Sequence, residues 1–405
     1  MVYELVKRQG RFTARRLVWL CLGLTIIAAI TVEMGRLRDA PGLLLFTAKL
    51  VFLGAVAGVA FLTLARRSIG EVRTIEWAKN LALLFATLVI MTVLAEFGLR
   101  LLFAGITTTG DNSSYWARRW YTAHVRVNSL GYREREFPAE KPPGIYRIAV
   151  VGDSFTFGQG IEEEDRFSNR LERALNREGQ RFEVLNFGRP GAETVDEVEM
   201  LKNAVIGVKP DFVLLQWLIN DVEGHDKSGR PAELPLLPSE TLQPVLHRNS
   251  VLYYILDRQW GTLQHELGWT GSYLDYMRAR FGDPESPGSR EAAAELEKFV
   301  ALCRERNIPL GIALFRGMEG VAKHAYPFDF LHERVLTFCT REGLTCLDLR
   351  EPMDRAEEHA SLVVNRFDGH PNAEANRIAA EGIMNRFGPI WEQAASSRNE
   401  GERKG

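Results

Sequence analysis

Three long apolar runs fill the first quarter of the chain, and they limit what can be built before residue 105. Residues 17–32 read LVWLCLGLTIIAAITV. Residues 42–65 are broken only by Lys49, and residues 81–104 only by Glu96 and Arg100. A bilayer core of about 30 Å takes about 20 apolar residues of helix, so each run predicts a membrane span. The first run is short, but Trp19 and its flanking arginines suit the membrane interface. No small-residue cleavage site follows it, which argues against a signal peptide. Three runs in succession argue against buried core helices.

The basic residues give an orientation. Lys7, Arg8, Arg11, Arg15 and Arg16 precede the first run, and Arg66, Arg67, Arg73 and Lys79 lie between the second and third. The first loop carries only Arg36 and Arg38, beside Asp39. The positive-inside rule places the two richer segments in the cytoplasm, so three crossings leave everything after Gly105 outside. The expectation is a multi-pass protein of the cell inner membrane whose large C-terminal part is extracytoplasmic, and periplasmic in a Gram-negative cell. Within the runs, Glu96 and Arg100 are spaced to pair on one helix face.

Beyond the membrane anchor, 1–105, the pattern changes. Residues 106–144 are polar and turn-rich, end in Pro142-Pro143-Gly144, and read as a connector arm. Residues 145–390 alternate short apolar runs with amphipathic stretches. Strands are expected at 145–151, 182–187, 212–218, 310–315 and 346–349, with helices between them and a last helix at 372–387. This alternation predicts an α/β domain with a central parallel sheet covered on both faces. Residues 222–289 break the rhythm as an insertion rich in aromatics (Tyr253, Tyr254, Trp260, Trp269, Tyr273, Tyr276), suited equally to a binding wall or to local packing. Residues 391–405 read as a polar tail.

Composition excludes little else. A net charge of −2 gives no support to nucleic-acid binding. Of four cysteines, Cys339 and Cys346 are placed either to pair outside the cell or to stay as buried thiols. His225 with Asp221 and Asp226 lacks metal-ligand spacing, so no metal is expected, and nothing in the pattern calls for a cofactor.

The chemistry-bearing residues fall at the predicted strand ends, where sites form in such sheets. Gly152-Asp153-Ser154 follows the first strand and Gly188-Arg189-Pro190-Gly191 the second. Asn220-Asp221 follows the third, and Asp368-Gly369-His370-Pro371-Asn372 precedes the last helix, with Pro371 expected at its first position. Acyl transfer needs a hydroxyl nucleophile, a base, a carboxylate to orient the base, and oxyanion donors. Ser154, His370 and Asp368 suit the first three roles. The N–H groups of Ser154 and Gly191 and the Asn220 amide suit the last, with Gly188 as the rival glycine. Asp153 and Asp221 suit turn-shaping. Arg189 is a candidate for binding an anionic substrate group, although a solvated or salt-bridged arginine is the more ordinary fate.

In that order, Ser154, Gly191, Asn220 and His370 resemble the four signature residues of the SGNH, or GDSL-type, serine hydrolase family. The resemblance covers about residues 145–388. It implies a flavodoxin-like three-layer α/β/α sandwich and a Ser-His-Asp acyl-enzyme mechanism. The arm with Asn128-Ser129-Leu130-Gly131-Tyr132-Arg133 looks like that of a membrane-anchored bacterial subset. Two departures stand out. Leu218 replaces the glycine usual before the signature asparagine, and Asp368 lies two rather than three residues before His370. The shorter spacing looks similar to polysaccharide O-acetyltransferases. The expected activity is cleavage of acyl, chiefly O-acetyl, esters on cell-envelope or secreted polysaccharide, with lipid esters as rival substrates. An O-acyltransferase using the same residues stays open, with a membrane acyl-transfer or polysaccharide-export partner. So does a catalytically silent glycan-binding scaffold.

Overall fold

The structure, a computed structural model, describes residues 71–177, 182–318 and 326–404. The first two apolar runs, 17–32 and 42–65, lie outside the described residues. The chain divides into two compact units: among the described residues, 71–105, 113–115 and 234–262 form one, and 106–112, 116–233 and 263–404 the other.

The first unit is built on α1, Glu71–Leu102. Its stretch Lys79–Leu102 has a mean hydropathy of 2.2 and is, among the described residues, the one helix long and apolar enough to cross a membrane. Glu96 and Arg100, the two charged residues in its C-terminal half, are both partnered. Arg100 Nε lies 2.7 Å from Glu96 Oε1, and Arg100 Nη2 donates to the Asn249 carbonyl at 2.8 Å. Glu96 in turn caps a helix of the insertion. It accepts from Ser250 Oγ, Val251 N and Leu252 N at 2.8 to 2.9 Å, satisfying amides that a helix start leaves open. That helix is α7, Val251–Glu266, preceded by α6, Leu242–Asn249.

The second unit holds a five-stranded sheet in the order β2-β1-β3-β4-β5, every pair parallel. The strands are β1 Tyr146–Gly152, β2 Phe182–Gly188, β3 Phe212–Trp217, β4 Leu310–Leu314 and β5 Thr345–Asp348. In β1 every residue is buried, as a central parallel strand covered on both faces must be. The connecting helices are α4 Phe167–Leu175, α5 Thr194–Met200, α8 Tyr273–Phe281, α9 Pro287–Glu305 and α10 Asp329–Glu342, followed by α11 Arg350–Glu357. Right-handed crossovers put α4 on one face and α5, α9 and α10 on the other, because the order of connection reverses at β1. The last helix, α12 Ala373–Lys404, packs with α4. Along the chain between α11 and α12, β6 Val363–Asn365 and β7 Asp368–Pro371 form a small antiparallel hairpin.

Three parts differ from the sequence expectation. Residues 106–144 are more than a connector. They contain α2, Tyr115–His124, whose Trp116 and Trp120 are buried. Arg133, fully buried, donates to the carbonyls of Gly158 at 2.7 Å and Ile161 at 3.0 Å and stacks on Trp120. The insertion 222–289 is split between the two units. The last helix runs through the residues read as a polar tail to Lys404. Trp391 is buried against Phe387 and Phe212, an anchor that polar average composition conceals.

Pro371 also lies elsewhere than expected. It ends β7, and α12 is opened by Asn372, whose Oδ1 accepts from the amides of Glu374 and Ala375 at 3.0 Å. An asparagine cap serves a helix start as well as a first-turn proline does.

Candidate active site

The order of connection reverses between β1 and β3, and the crevice at their carboxyl ends is where ligands bind in open α/β sheets. Ser154 sits there as the first residue of the short helix α3, Ser154–Phe157. Asp153 caps that helix: its Oδ1 accepts from Phe155 N at 2.8 Å. Gln216, a polar residue inside the apolar strand β3, holds the same turn from below. Its Oε1 accepts from the amides of Asp153 and Thr156 and from Thr156 Oγ1, the last at 2.8 Å.

The β6–β7 hairpin brings His370 and Asp368 to this serine. His370 Nε2 lies 2.9 Å from Ser154 Oγ, and His370 Nδ1 lies 2.5 Å from Asp368 Oδ1. A proton on Nδ1 shared with the carboxylate leaves Nε2 able to accept from the hydroxyl. The Phe155 ring meets the imidazole edge-on, 5.8 Å between centroids, and limits its tilt. The hairpin itself is braced by the arm. Gly110 N donates to the Phe367 carbonyl at 2.9 Å, Asn365 Nδ2 to the Thr108 carbonyl at 3.0 Å, and Trp116 stacks on Phe367.

The two candidate glycines separate cleanly. Gly188 N–H is taken by Asn186 Oδ1 at 3.0 Å, and a Cβ there would run into the backbone of Thr156 and Phe157. Gly188 is therefore the place where α3 presses on β2. Gly191 has φ +75° and open space where a side chain would stand. Asn220 lies in the turn Ile219–Val222 after β3, its Nδ2 3.4 Å from Asp153 Oδ2 and 3.5 Å from the Ala192 carbonyl. Arg189 is turned to Asp196, with Nη2 to Oδ1 at 2.5 Å.

Beneath the site lie three buried carboxyls. Asp153, Glu197 and Asp221 are almost completely removed from solvent. Asp221 Oδ2 accepts from Leu218 N at 2.8 Å and ties the turn that carries Asn220. Neither oxygen of Glu197 has a hydrogen-bond partner among the described residues. Burial raises the Asp153 carboxyl above the usual range, and burial together with the neighbouring carboxyls raises Glu197 and Asp221 well above it. The shift favours the protonated form in each and so lessens the negative charge under the nucleophile. Sequence reasoning missed Glu197 because nothing in its surroundings in the chain distinguishes it from a solvated helix residue. Gln216 left a signal, one polar residue in an apolar strand.

A cavity of about 510 Å³ opens beside the serine, lined by Phe155, Leu218, Asn220, Arg230, Tyr273 and His370 among others. Leu218, at the position where the sequence departs from the expected glycine, forms part of its wall. The insertion supplies Arg230 and Tyr273: the guanidinium lies over the ring, and both meet the buried Glu223 carboxylate. The aromatic-rich insertion thus divides its labour. Tyr273 lines the cavity, while Tyr276 joins the core and Tyr253 and Tyr254 are buried in the other unit. Cys339 and Cys346 are joined by a disulfide between the end of α10 and β5, and Cys303 is a buried free thiol. Among the described residues no cluster of potential metal ligands occurs.

Residues 150–378, more than half of the chain, match the family described as the GDSL-like lipase/acylhydrolase family. No curated protein matches the sequence. Solved structures that resemble it include a member of the lipolytic G-D-S-L family from Veillonella parvula (14% identity, covering 60% of this chain and 98% of that one, TM-score 0.36). An alpha/beta hydrolase from the metagenome of Lake Arreo, Spain, aligns at 17% identity over 60% and 95% of the two chains, with a TM-score of 0.39. A catalytic mutant of an acetylxylan esterase from Geobacillus stearothermophilus aligns at 15% identity over 61% and 95%, also with a TM-score of 0.39. Likeness at this level says nothing about what this chain acts on.

Proposed function

The chain belongs to the GDSL-like lipase/acylhydrolase family and is an SGNH-type ester hydrolase, and from that premise we propose that it is a membrane-anchored, extracytoplasmic serine esterase working through Ser154, His370 and Asp368. The observation that carries this reading is the run of contacts from Asp368 through His370 to Ser154. Ser154 Oγ attacks the ester carbonyl carbon as His370 Nε2 takes its proton. Asp368 holds the imidazole and offsets the charge that develops on it. The oxyanion accepts from the N–H groups of Ser154 and Gly191 and from Asn220 Nδ2. Collapse breaks the bond to the alcohol oxygen, which takes the proton from His370. Water, activated by the same imidazole, then releases the acid and restores the serine.

The proposed substrates are acyl esters, chiefly O-acetyl, on cell-envelope or secreted polysaccharide. The cavity beside Ser154 supports this: about 510 Å³ holds a sugar residue, and Tyr273 offers a ring for it to stack on. The same cavity has room for an acceptor, so a sugar hydroxyl in place of water would make the reaction an O-acyl transfer. The proposed location is the cell inner membrane with the catalytic unit outside the cytoplasm. Three apolar runs, the distribution of arginine and lysine, and the Cys339–Cys346 disulfide support it, since disulfides persist in oxidising compartments.

The test is hydrolysis of p-nitrophenyl acetate by the full chain in detergent. Ser154→Ala is expected to abolish turnover, and Asn220→Ala to lower kcat by about 10²–10³. Turnover that survives Ser154→Ala would remove this serine from the mechanism.

A further inference from the structure

The part of the insertion that belongs to the first unit, residues 234–262, is ordered, yet it leaves large apolar side chains outside. Leu234, Leu236, Leu237, Leu242, Val245 and Leu256 are all exposed. The leucine loop is held in place rather than loose. Leu236 N donates to Asp257 Oδ1 at 2.6 Å, and the other oxygen of that carboxylate lies 2.8 Å from His247 Nε2. A structured loop that presents leucines to water gains nothing from doing so, and such a patch marks a surface that something else covers.

What covers it follows from α1. Glu96 fixes the start of α7 to this helix, with three bonds to Ser250, Val251 and Leu252. Glu96 lies six residues before Leu102, where the apolar stretch ends, or about 9 Å along a helix axis. The start of α7 is therefore held at the depth of the last turns of the apolar stretch, the level of the acyl–headgroup boundary if that stretch spans a bilayer. The exposed side chains of α1 at this end, Leu94, Phe97, Leu101 and Leu102, are apolar as well. Arg248 and Arg258, exposed on the same segment, suit lipid phosphates.

We infer that residues 234–262 form an interfacial platform that rests in the membrane surface, with Leu234, Leu236, Leu237 and Leu242 immersed among the acyl chains. The inference depends on the membrane-anchored reading of α1. The platform adds a second, shallow attachment to the anchor, as interfacial amphipathic segments do.

The experiment uses the full chain in vesicles of phosphatidylcholine and phosphatidylglycerol, in a Cys21→Ser background. Cys303 is buried and Cys339 is bonded to Cys346, so a thiol-reactive NBD dye goes to an introduced cysteine. Labels are placed singly at Leu236→Cys, Leu242→Cys, Leu88→Cys on α1, and Lys298→Cys on the exposed side of α9. Blue-shifted emission at 236 and 242, quenched by doxyl-labelled lipid severalfold more than at 298, is the expected result. Strong quenching at 88 with none at 236 and 242 would overturn the platform and leave the anchor standing. Blue-shifted emission there without lipid quenching would mean that protein covers the patch, residues 1–70 or a second copy, and would overturn it too. No quenching even at 88 would remove the anchor, and the platform with it.

Discussion

Gly188 and Gly191 stand close together on the chain and serve different ends. Gly188 lets α3 sit against β2, so an added methyl group would fall on the backbone of Thr156 and Phe157. Gly191 has space for a methyl group but a left-handed backbone, which costs an ordinary residue about 1–2 kcal/mol. Gly188→Ala is expected to lower the thermal midpoint sharply, and Gly191→Ala to fold with a small loss of stability and a reduced kcat. Circular dichroism melts with kinetics on the same preparations check this, and equal destabilisation of both variants would contradict it. Glu197 makes a pH prediction. Its folded carboxyl is raised well above the ordinary 4.5, so the folded chain keeps a proton that the unfolded chain releases. Its contribution to stability is complete below about pH 4.5 and is lost as pH rises through the folded-state pKa. Glu197→Gln carries no such titration. The variant's melting temperature, relative to the parent's, should therefore climb as pH rises above 4.5. A difference independent of pH would show that Glu197 is ionised in the folded protein.

At the scale of elements, the arm is the part that sequence reasoning undervalued. Residues 106–144 carry no long apolar run, and polarity with prolines suggests a tether. What the pattern hides is that Arg133 spends its polar atoms on carbonyls at the end of α3, while Trp116 braces the loop before Asp368. Arg133→Ala should cost about 2–4 kcal/mol, since it leaves buried carbonyls unsatisfied, and esterase activity should fall with it. Arg135→Ala, on a half-exposed side chain nearby, should change stability by no more than about 0.5 kcal/mol. Denaturant titration of both variants separates a structural arm from a mere connector, for which both would be near zero. The five strands of the sheet were legible, to within a residue or two: β1, β3 and β4 are buried along their whole length and read as apolar runs, while the half-buried β5 shows only a short one. The places of Ser154, Asn220 and His370 were legible because they sit at strand ends or next to a helix start, where turn residues mark the place; their roles are part of the proposal. The division of the insertion was not legible, because its aromatics have similar local surroundings and only tertiary packing assigns them to different units.

For the whole molecule, the proposed function sets an ester-hydrolysing unit on an apolar membrane anchor. The disulfide joining Cys339 to Cys346 was one of two fates that the sequence left open, because spacing along a chain does not fix distance in space. Its presence supports the proposed extracytoplasmic location, since disulfides persist in oxidising compartments. The leucines of 234–262 and the apolar face of α1 give both parts of the first unit a common environment, and the cavity beside Ser154 belongs wholly to the second. The central claim is that Ser154 is a nucleophile activated by His370. The most direct measurement is reaction of the full chain with a fluorophosphonate, in which Ser154 Oγ displaces fluoride at phosphorus, followed by peptide mapping. The account predicts a single adduct on the peptide carrying Ser154, lost in His370→Ala while the variant still folds. An adduct elsewhere, or labelling of Ser154 that is indifferent to His370, would contradict it.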